Sequence, residues 1–190
     1  MADNPHAESK WATVWSGGRR KLARDPVLGP WVKEIGTIRV LVGEDDPFPY
    51  LVRTICYQQL AGRAASTIHS RLVEALGGEV TTRKVLRVRE STLKKAGLSQ
   101  AKCEAIRDLA SKISVGDVVV SDLSEQSDQE VIRRLVQVRG IGVWTAQMYL
   151  MFRMHRPDIW PTGDLGVRKG FAKAHGLKVP PSASELEGLG

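Results

Sequence analysis

The 190-residue sequence is poor in cysteine, in aromatic residues and in long apolar runs. Its two cysteines, Cys56 and Cys103, cannot supply the set of thiolates that an iron–sulfur cluster needs, and neither has a cysteine or histidine at ligand spacing. We expect two buried thiols of a reducing compartment rather than a disulfide or a metal site. No apolar run approaches the ~20 residues that span a bilayer.

A secretory signal is also missing from the sequence. The opening stretch, MADNPHAESKWATVW, has neither the basic start nor the apolar segment of such a signal. We therefore expect a protein that stays in the cell. With 42% hydrophobic and 26% charged residues, the chain has the composition and length of one compact domain or of two small lobes that share a core.

Acidic residues are in deficit, at 21 against 28 lysines and arginines, which gives a net charge of +7. The excess is concentrated between residues 83 and 112, a stretch typical of a surface that binds a polyanion. A basic surface that is only solvated explains the charge equally well. The basic residues of this stretch are Arg83, Lys84, Arg87, Arg89, Lys94, Lys95, Lys102, Arg107 and Lys112.

Helical periodicity dominates the apolar pattern. Apolar residues of the segment 40–76 recur at helical spacing on both sides of Gly62, which predicts a helix, a short turn and a second helix. Ser91 and Ser99 are candidate N-caps of a short helix and of a longer one through Ile113. The fold predicted from these patterns is nearly all helix.

A further helix is predicted over residues 128–138, because Ser127 and Glu130 have the spacing of a capping box. The run VGDVVVSDL at 115–123 looks extended but is short and has no partner strand, so we expect a packed loop there. The predicted buried stripe of the helix consists of Val131, Leu135, Val136 and Val138.

The stretch RGIGVWTA, residues 139–146, separates this helix from a second apolar helix, VWTAQMYLMF. Gly140 and Gly142 lack a Cβ and would let a phosphate approach main-chain amides at a helix N-terminus, where the helix dipole favours an anion. Thr145 adds a hydroxyl there. An ordinary tight turn is the alternative, since glycine pairs are common between helices.

Four segments in one order carry a family resemblance. The stretch LVQVRGIGVWTAQMYLMF, followed by DIWPTGDLGVRKGF, resembles the helix-hairpin-helix DNA glycosylase superfamily. Within that superfamily, ICYQQLAGRAASTI and GLSQAKCEAIRDLA resemble the 3-methyladenine DNA glycosylase II branch, which excises alkylated bases. The resemblance runs from about Phe48 to about Gly170 and implies an all-α, two-lobed fold with a cleft between the lobes.

The resemblance also implies how the chain is divided. Residues 1–45 would form the N-terminal segment of the first lobe, 46–155 a helical lobe with the helix-hairpin-helix, and 156–190 a loop and helix that return to the first lobe, all in a single structural unit. Relatives usually continue into a C-terminal helix rich in Trp, Pro and Arg, whereas this sequence ends at PPSASELEGLG. We expect that closing helix to be missing, through truncation or because the N-terminal segment closes the lobe by itself.

Asp164, in PTGDLG, matches the catalytic aspartate of the superfamily. As the bond between base and sugar breaks, positive charge grows on the deoxyribose, and a fixed carboxylate stabilises that charge. The alternative is a structural N-cap of the following helix, a role that the same residue can combine with catalysis. The helix N-terminus and nearby Arg168 would both favour the ionised carboxylate.

Trp144 stands where bifunctional relatives carry a lysine that attacks the sugar as an amine nucleophile. An indole cannot do so, and the resemblance therefore implies a monofunctional glycosylase that leaves an abasic site in an intact strand. In the alkyl-base branch the tryptophan faces the extruded base, and Met148 lies at a pocket position where a relative has an aromatic residue. A core tryptophan at a helix start is the alternative for Trp144.

The resemblance assigns DNA contacts to further residues. Leu60 would enter the gap left by the extruded base, with Gln59 beside it probing the opposite strand. A core position is the alternative for Leu60. Lys102 and Arg107 are expected near phosphates, although either could be merely solvated.

The implied partner is duplex DNA that contains alkylated bases of the 3-methyladenine and 7-methylguanine class, bound by a monomer with no required cofactor. A DNA substrate implies a location in the cytoplasm and nucleoid or, in a eukaryote, in the nucleus. A structural Na⁺ or K⁺ on the main-chain carbonyls of Val136, Val138 and Ile141 is a further implication. A helix-hairpin-helix module that binds DNA without chemistry is the alternative function, and Asp164 distinguishes the two in principle, because a pure binder has no use for a carboxylate facing phosphates.

Overall fold

The computed structural model describes residues 15–37 and 46–189. Within these ranges every regular element is a helix and no strand is present, so the all-α prediction is confirmed. None of the described helices has the length and apolar character of a membrane span. Residues 1–14, on which the prediction about a secretory signal depends, lie outside the described residues.

The chain divides into two compact units, one comprising Met1–Leu41 with Leu150–Gly190 and the other Val42–Tyr149. The cleft implied by the resemblance and the missing closing helix stay predictions. In chain order the helices are α1 (residues 15–22), α2 (Gly29–Ile35), α3 (Pro47–Tyr57), α4 (Gly62–Ala75), α5 (Thr82–Arg87), α6 (Glu90–Lys95), α7 (Gln100–Val115), α8 (Asp128–Leu135), α9 (Val143–Phe152), α10 (Leu165–Ala174) and α11 (Ala183–Glu187).

The unit Val42–Tyr149 is built around α7, the longest of its helices. Helices α3, α5 and α6 pack against it, and the side chains of Leu51, Ile55, Ile106 and Leu109 are fully buried. The predicted helix, turn and helix around Gly62 are confirmed as α3 and α4. Burial of these apolar faces is the main contribution to the stability of the unit.

Several helix starts follow from single polar side chains. Ser99 caps α7 as predicted, its hydroxyl accepting a hydrogen bond from the Lys102 amide. Ser91 does not cap α6, because that helix begins earlier, at Glu90, whose carboxylate pairs with Lys94 one turn later at 3.0 Å. An acidic residue in the first turn suits the helix dipole. The N-cap position is Arg89, so the predicted N-cap at Ser91 was wrong by two residues.

Helix α8 is shorter than predicted. The Ser127 hydroxyl accepts from the Glu130 amide, but the Glu130 carboxylate turns to Arg133 and Arg134 and makes no reciprocal cap. Because α8 ends at Leu135, Val136 lies past the helix and is 38% exposed, so its predicted burial was wrong. Residues 116–122 form a loop, as predicted.

The unit that comprises Met1–Leu41 and Leu150–Gly190 joins the described N-terminal helices to the C-terminal part of the chain. The indole of Trp15 donates to the carbonyl of His155 at 3.0 Å, and the indole of Trp160 donates to the carbonyl of Leu186 at 3.0 Å. Leu186, on α11, is fully buried. The hydrogen bond of Trp160 and the burial of Leu186 hold α11 against the loop that precedes Asp164.

Candidate functional site

The turn between α8 and α9 spans residues 136–142 and contains two glycines with different surroundings. Gly140 has a φ of 77°, in the left-handed region, and a Cβ built there would lie 3.0 Å from the Cβ of Ala105. Gly142 is exposed, and a Cβ there would meet nothing within 4 Å. Gly140 therefore fixes the shape of the turn, whereas Gly142 leaves the N-terminus of α9 open to an approaching group.

Side chains of α7 hold this turn, which we call the hairpin. Asp108 accepts hydrogen bonds from the Arg139 amide at 2.7 Å and from Lys112 at 2.9 Å, while Lys112 also donates to the carbonyl of Gln137 at 2.6 Å. The Arg139 guanidinium pairs with Glu104 at 2.7 Å. Partial burial of Asp108 works against ionisation, but the hydrogen bonds from Lys112 and Arg139 outweigh it and lower the pKa of this carboxyl.

Trp144 and Met148 lie in the first two turns of α9. The indole of Trp144 is 44% exposed and Met148 is half-buried, whereas Ala146 between them is buried. The alternative of a core tryptophan does not fit this exposure. The predicted contact of both side chains with an extruded base stays a prediction.

Thr145, unlike Trp144, is buried in the protein. Its side chain is 4% exposed, and its hydroxyl accepts a hydrogen bond at 3.2 Å from the side-chain amide of Gln58. The same amide donates to the carbonyl of Gly140 at 2.9 Å. The predicted phosphate contact of the Thr145 hydroxyl therefore finds no support in this geometry. Sequence reasoning missed Gln58, although the glutamine pair in ICYQQLAG marks the segment.

The turn between α3 and α4 presents the residues predicted to enter DNA. Gln59 is exposed and Leu60 is 41% exposed, which does not fit the alternative of a core leucine. Behind them, the ammonium group of Lys102 donates to the carbonyls of Cys56 at 2.7 Å and Gln58 at 2.8 Å. Partial burial lowers the pKa of Lys102.

Much of the basic stretch 83–112 is already engaged within the protein. Lys84, Lys94 and Lys112 form ion pairs with Glu79, Glu90 and Asp108. Lys102 and Arg107 bind main-chain carbonyls instead, Arg107 that of Val88, so their predicted phosphate contacts find no support here. The exposed basic residues that remain in the stretch are Arg83, Arg87, Arg89 and Lys95.

Asp164 lies at the start of α10, after the loop PTGDLG. Its Oδ1 atom accepts from the Val167 amide at 2.9 Å, so its role as an N-cap is confirmed. The main-chain amide of Asp164 donates to the carbonyl of Pro161, a buried residue, and Asp164 itself is half-buried. The Arg168 guanidinium donates to the carbonyl of Pro181. The arrangement fixes a carboxylate at a helix N-terminus within reach of solvent.

The three carbonyls predicted to hold a monovalent cation all belong to the hairpin. That of Val138 accepts a hydrogen bond from the Ile141 amide at 3.0 Å. A carbonyl oxygen has a second lone pair, so this bond leaves Val138 able to bind a cation together with Val136 and Ile141. Oxygen ligands of this kind suit Na⁺ or K⁺, and a cation on these three carbonyls stays a prediction.

Comparison with known proteins identifies the family. The sequence pattern of the HhH-GPD superfamily base excision DNA repair proteins matches residues 52–189. DNA-3-methyladenine glycosylase 1 of Schizosaccharomyces pombe is 32% identical over 78% of this chain and 68% of its own length. The DNA-3-methyladenine glycosylase of Saccharomyces cerevisiae is 33% identical over 80% of this chain, which spans 56% of that relative.

Solved structures agree with this assignment. The S. pombe 3-methyladenine DNA glycosylase in complex with abasic DNA superposes with a TM-score of 0.79 at 26% identity, covering 89% of this chain and 85% of that one. A DNA-3-methyladenine glycosidase from Bacillus halodurans has a TM-score of 0.76 at 30% identity, covering 88% and 78%. The chain belongs to the HhH-GPD superfamily of base excision DNA repair proteins.

Proposed function

We propose that this chain is a monofunctional DNA glycosylase that removes alkylated bases of the 3-methyladenine and 7-methylguanine class from duplex DNA. The proposal rests on two structural features that lie within the family motifs. These are a fixed carboxylate at the start of α10 and an exposed indole, not an amine, at the start of α9. The names of the two yeast relatives support the same substrate class.

In the proposed reaction the bond between the sugar C1′ and the base nitrogen breaks, and its electron pair leaves with the base. A purine that is alkylated on a ring nitrogen carries positive charge, so it departs as a neutral base and needs little help from a general acid. The carboxylate of Asp164 stabilises the cationic sugar, orients the water that adds to C1′ and accepts the proton that this water loses. The products are the free base and an abasic site.

Access to the base requires that it leave the stack of the duplex. Leu60, an exposed apolar side chain on a tight turn, fills the space that the base vacates, and Gln59 contacts the opposite strand. The exposed face of Trp144 stacks on the extruded cationic base, and Met148 lines the same pocket. Because Trp144 has no amine, no covalent intermediate with the sugar forms.

The hairpin contributes phosphate binding through the main-chain amides beside Gly142, at the N-terminus of α9. A Na⁺ or K⁺ on the carbonyls of Val136, Val138 and Ile141 would stiffen this turn and add positive charge near the phosphate. No other cofactor enters the proposal. The protein acts as a monomer on DNA inside the cell, since one lesion needs one pocket.

The test is incubation of the protein with methylated duplex DNA. We expect release of 3-methyladenine and 7-methylguanine, together with abasic sites that alkali cleaves. Borohydride should trap no covalent adduct with the DNA, because there is no amine nucleophile at position 144. Binding to the duplex without base release would instead favour a DNA-binding module, and a trapped adduct would show a lyase.

A further inference from the structure

The turn between α3 and α4, residues 58–61, has a strained backbone. Gln59 has a φ of 55°, in the left-handed region that residues with a side chain seldom adopt. No glycine relieves it, since Gly62 is already the first residue of α4. Such a conformation persists only where surrounding contacts over-determine it.

Lys102 supplies one set of these contacts. Its ammonium group lies between the carbonyls of Cys56 and Gln58, at 2.7 and 2.8 Å, and so binds the chain on both sides of the point where α3 ends. Carbonyls at a helix C-terminus lack an intrahelical donor and carry the negative end of the helix dipole. A half-buried cation there fixes the direction in which the chain leaves α3.

Gln58 supplies the second set and ties the turn to the hairpin. Its side-chain amide donates to the carbonyl of Gly140 at 2.9 Å and to the hydroxyl of Thr145 at 3.2 Å. Gly140 is the left-handed residue of the hairpin, and Thr145 is a buried residue in the first turn of α9. One amide group therefore connects the turn that carries Leu60 to both sides of the proposed phosphate site.

We propose that Gln58 and Lys102 are positioning residues, which hold Leu60 in a fixed place relative to the hairpin so that phosphate binding and insertion of Leu60 are one event. The inference rests on the proposed function, because it assigns a purpose to the insertion of Leu60. Because Leu60 is already held in place in the free protein, it loses less conformational freedom when DNA binds. On this account Lys102 acts through the turn and not through a DNA phosphate.

The variants that test the inference are Lys102→Met and Gln58→Met, which remove the hydrogen-bond donors at nearly constant side-chain length. Lys178→Met, at an exposed lysine, controls for the loss of one positive charge. The probe is a duplex with a single 7-methylguanine placed opposite either cytosine or a tetrahydrofuran abasic analogue. Opposite the analogue there is no base pair to break, so release of 7-methylguanine depends less on the insertion of Leu60.

We expect single-turnover release opposite cytosine to fall about tenfold in both variants, and release opposite tetrahydrofuran to fall less than about threefold. Lys178→Met should match the wild type on both duplexes. Equal losses on the two duplexes would overturn the inference, because a general structural defect does not distinguish them. Should Lys102→Met fail to fold, Gln58→Met, whose hydrogen bond to Gly140 lies at the surface, carries the test alone.

A second measurement does not depend on chemistry. Hydrogen–deuterium exchange of the free protein should be faster in the peptide 57–62 of both variants than in the wild type and in Lys178→Met. Unchanged exchange there would overturn the inference. If the wild type releases no base from either duplex, the proposed function fails, and the exchange result alone decides whether Gln58 and Lys102 hold the turn.

Discussion

Gly140 and Gly142 lie two residues apart in the hairpin, yet an added methyl group should act differently at each. Gly140→Ala places a side chain at a φ of 77° and 3.0 Å from Ala105, so we expect unfolding in urea to show a loss of about 1–2 kcal/mol. Gly142→Ala meets nothing within 4 Å and should leave stability unchanged. It should nevertheless weaken binding to duplex DNA, because the methyl group stands before the amides of α9. Equal stability losses would contradict this division of roles.

Trp144 offers a second test at the scale of residues. Trp144→Ala should lower kcat/KM for 7-methylguanine release. The loss should correspond to about 1–3 kcal/mol of transition-state stabilisation, the range for a base stacked on an aromatic side chain. The melting temperature should stay near that of the wild type, since the indole is 44% exposed. Val143→Ala, at the exposed neighbouring residue, is the matched control. An unaltered kcat/KM in Trp144→Ala would show that the indole does not stack on the extruded base.

The sequence predicted residue types and local roles better than it predicted partners. The N-cap at Asp164 depends only on the next three residues, and the pattern was sufficient to find it. The partners of Lys102 and Thr145 are the carbonyl of Cys56 and the amide of Gln58, which lie far away along the chain. Nothing in the local pattern distinguishes a lysine that binds carbonyls from one that faces a phosphate.

At the scale of elements, the attachment of the hairpin to α7 depends on the charge of Asp108. Asp108→Asn keeps an acceptor for the Arg139 amide but loses the ion pair with Lys112. We expect it to lower the free energy of unfolding at pH 7 by about 1 kcal/mol. Ser111→Ala, at an exposed position on the same helix, should have no comparable effect.

The pH dependence of that difference follows from the lowered pKa of Asp108. A carboxyl whose pKa is lower in the folded than in the unfolded state contributes stability above the unfolded pKa, and the contribution is lost as the pH falls through the folded pKa. The wild type and Asp108→Asn should therefore converge in stability as urea unfolding is repeated from neutral to strongly acidic pH. A difference that stays constant would rule out the ionised carboxylate as its source.

Elements with a polar cap and a clear apolar stripe were predictable from sequence, as α7 and the pair α3 and α4 show. The start of helix α6 was misplaced because two possible starts, at Glu90 and after Ser91, lie only two residues apart, and the ion pair of Glu90 with Lys94 favours the earlier one. Helix α8 ends at Leu135, before the hairpin, where a Cβ at the left-handed Gly140 would lie only 3.0 Å from the Cβ of Ala105 on α7. This close approach of the hairpin to α7 belongs to the packed structure and leaves no local sequence signal.

At the scale of the whole molecule, the net charge of +7 should dominate binding to undamaged duplex DNA. If about six phosphates are contacted, the affinity should fall by about 10³ between 50 and 200 mM salt. Fluorescence anisotropy over a salt series measures the slope. A nearly flat salt dependence would mean that the exposed basic residues, among them Arg83 and Arg87, are only solvated.

The all-α class could be predicted from the helical spacing of apolar residues, and the family from four motifs in one order. Both are properties of the sequence itself. The exact boundaries of the two units, after residues 41 and 149, had no comparable local signal, and the division at 45 and 155 that the resemblance implied stays a prediction. The second boundary falls within α9, in an apolar helix whose pattern continues through it. Which apolar residues pack in which unit is decided by the folded structure.

The central claim is that the carboxylate of Asp164 stabilises a sugar that is losing its base. Asparagine is as good an N-cap as aspartate, so Asp164→Asn removes the charge and keeps the acceptor for the Val167 amide. We predict that single-turnover release of 7-methylguanine falls by about 100-fold or more, with melting temperature and affinity for abasic DNA retained. Asp158→Asn, at an exposed acid outside the proposed site, should behave as the wild type. Release by Asp164→Asn at a rate near that of the wild type would contradict the account.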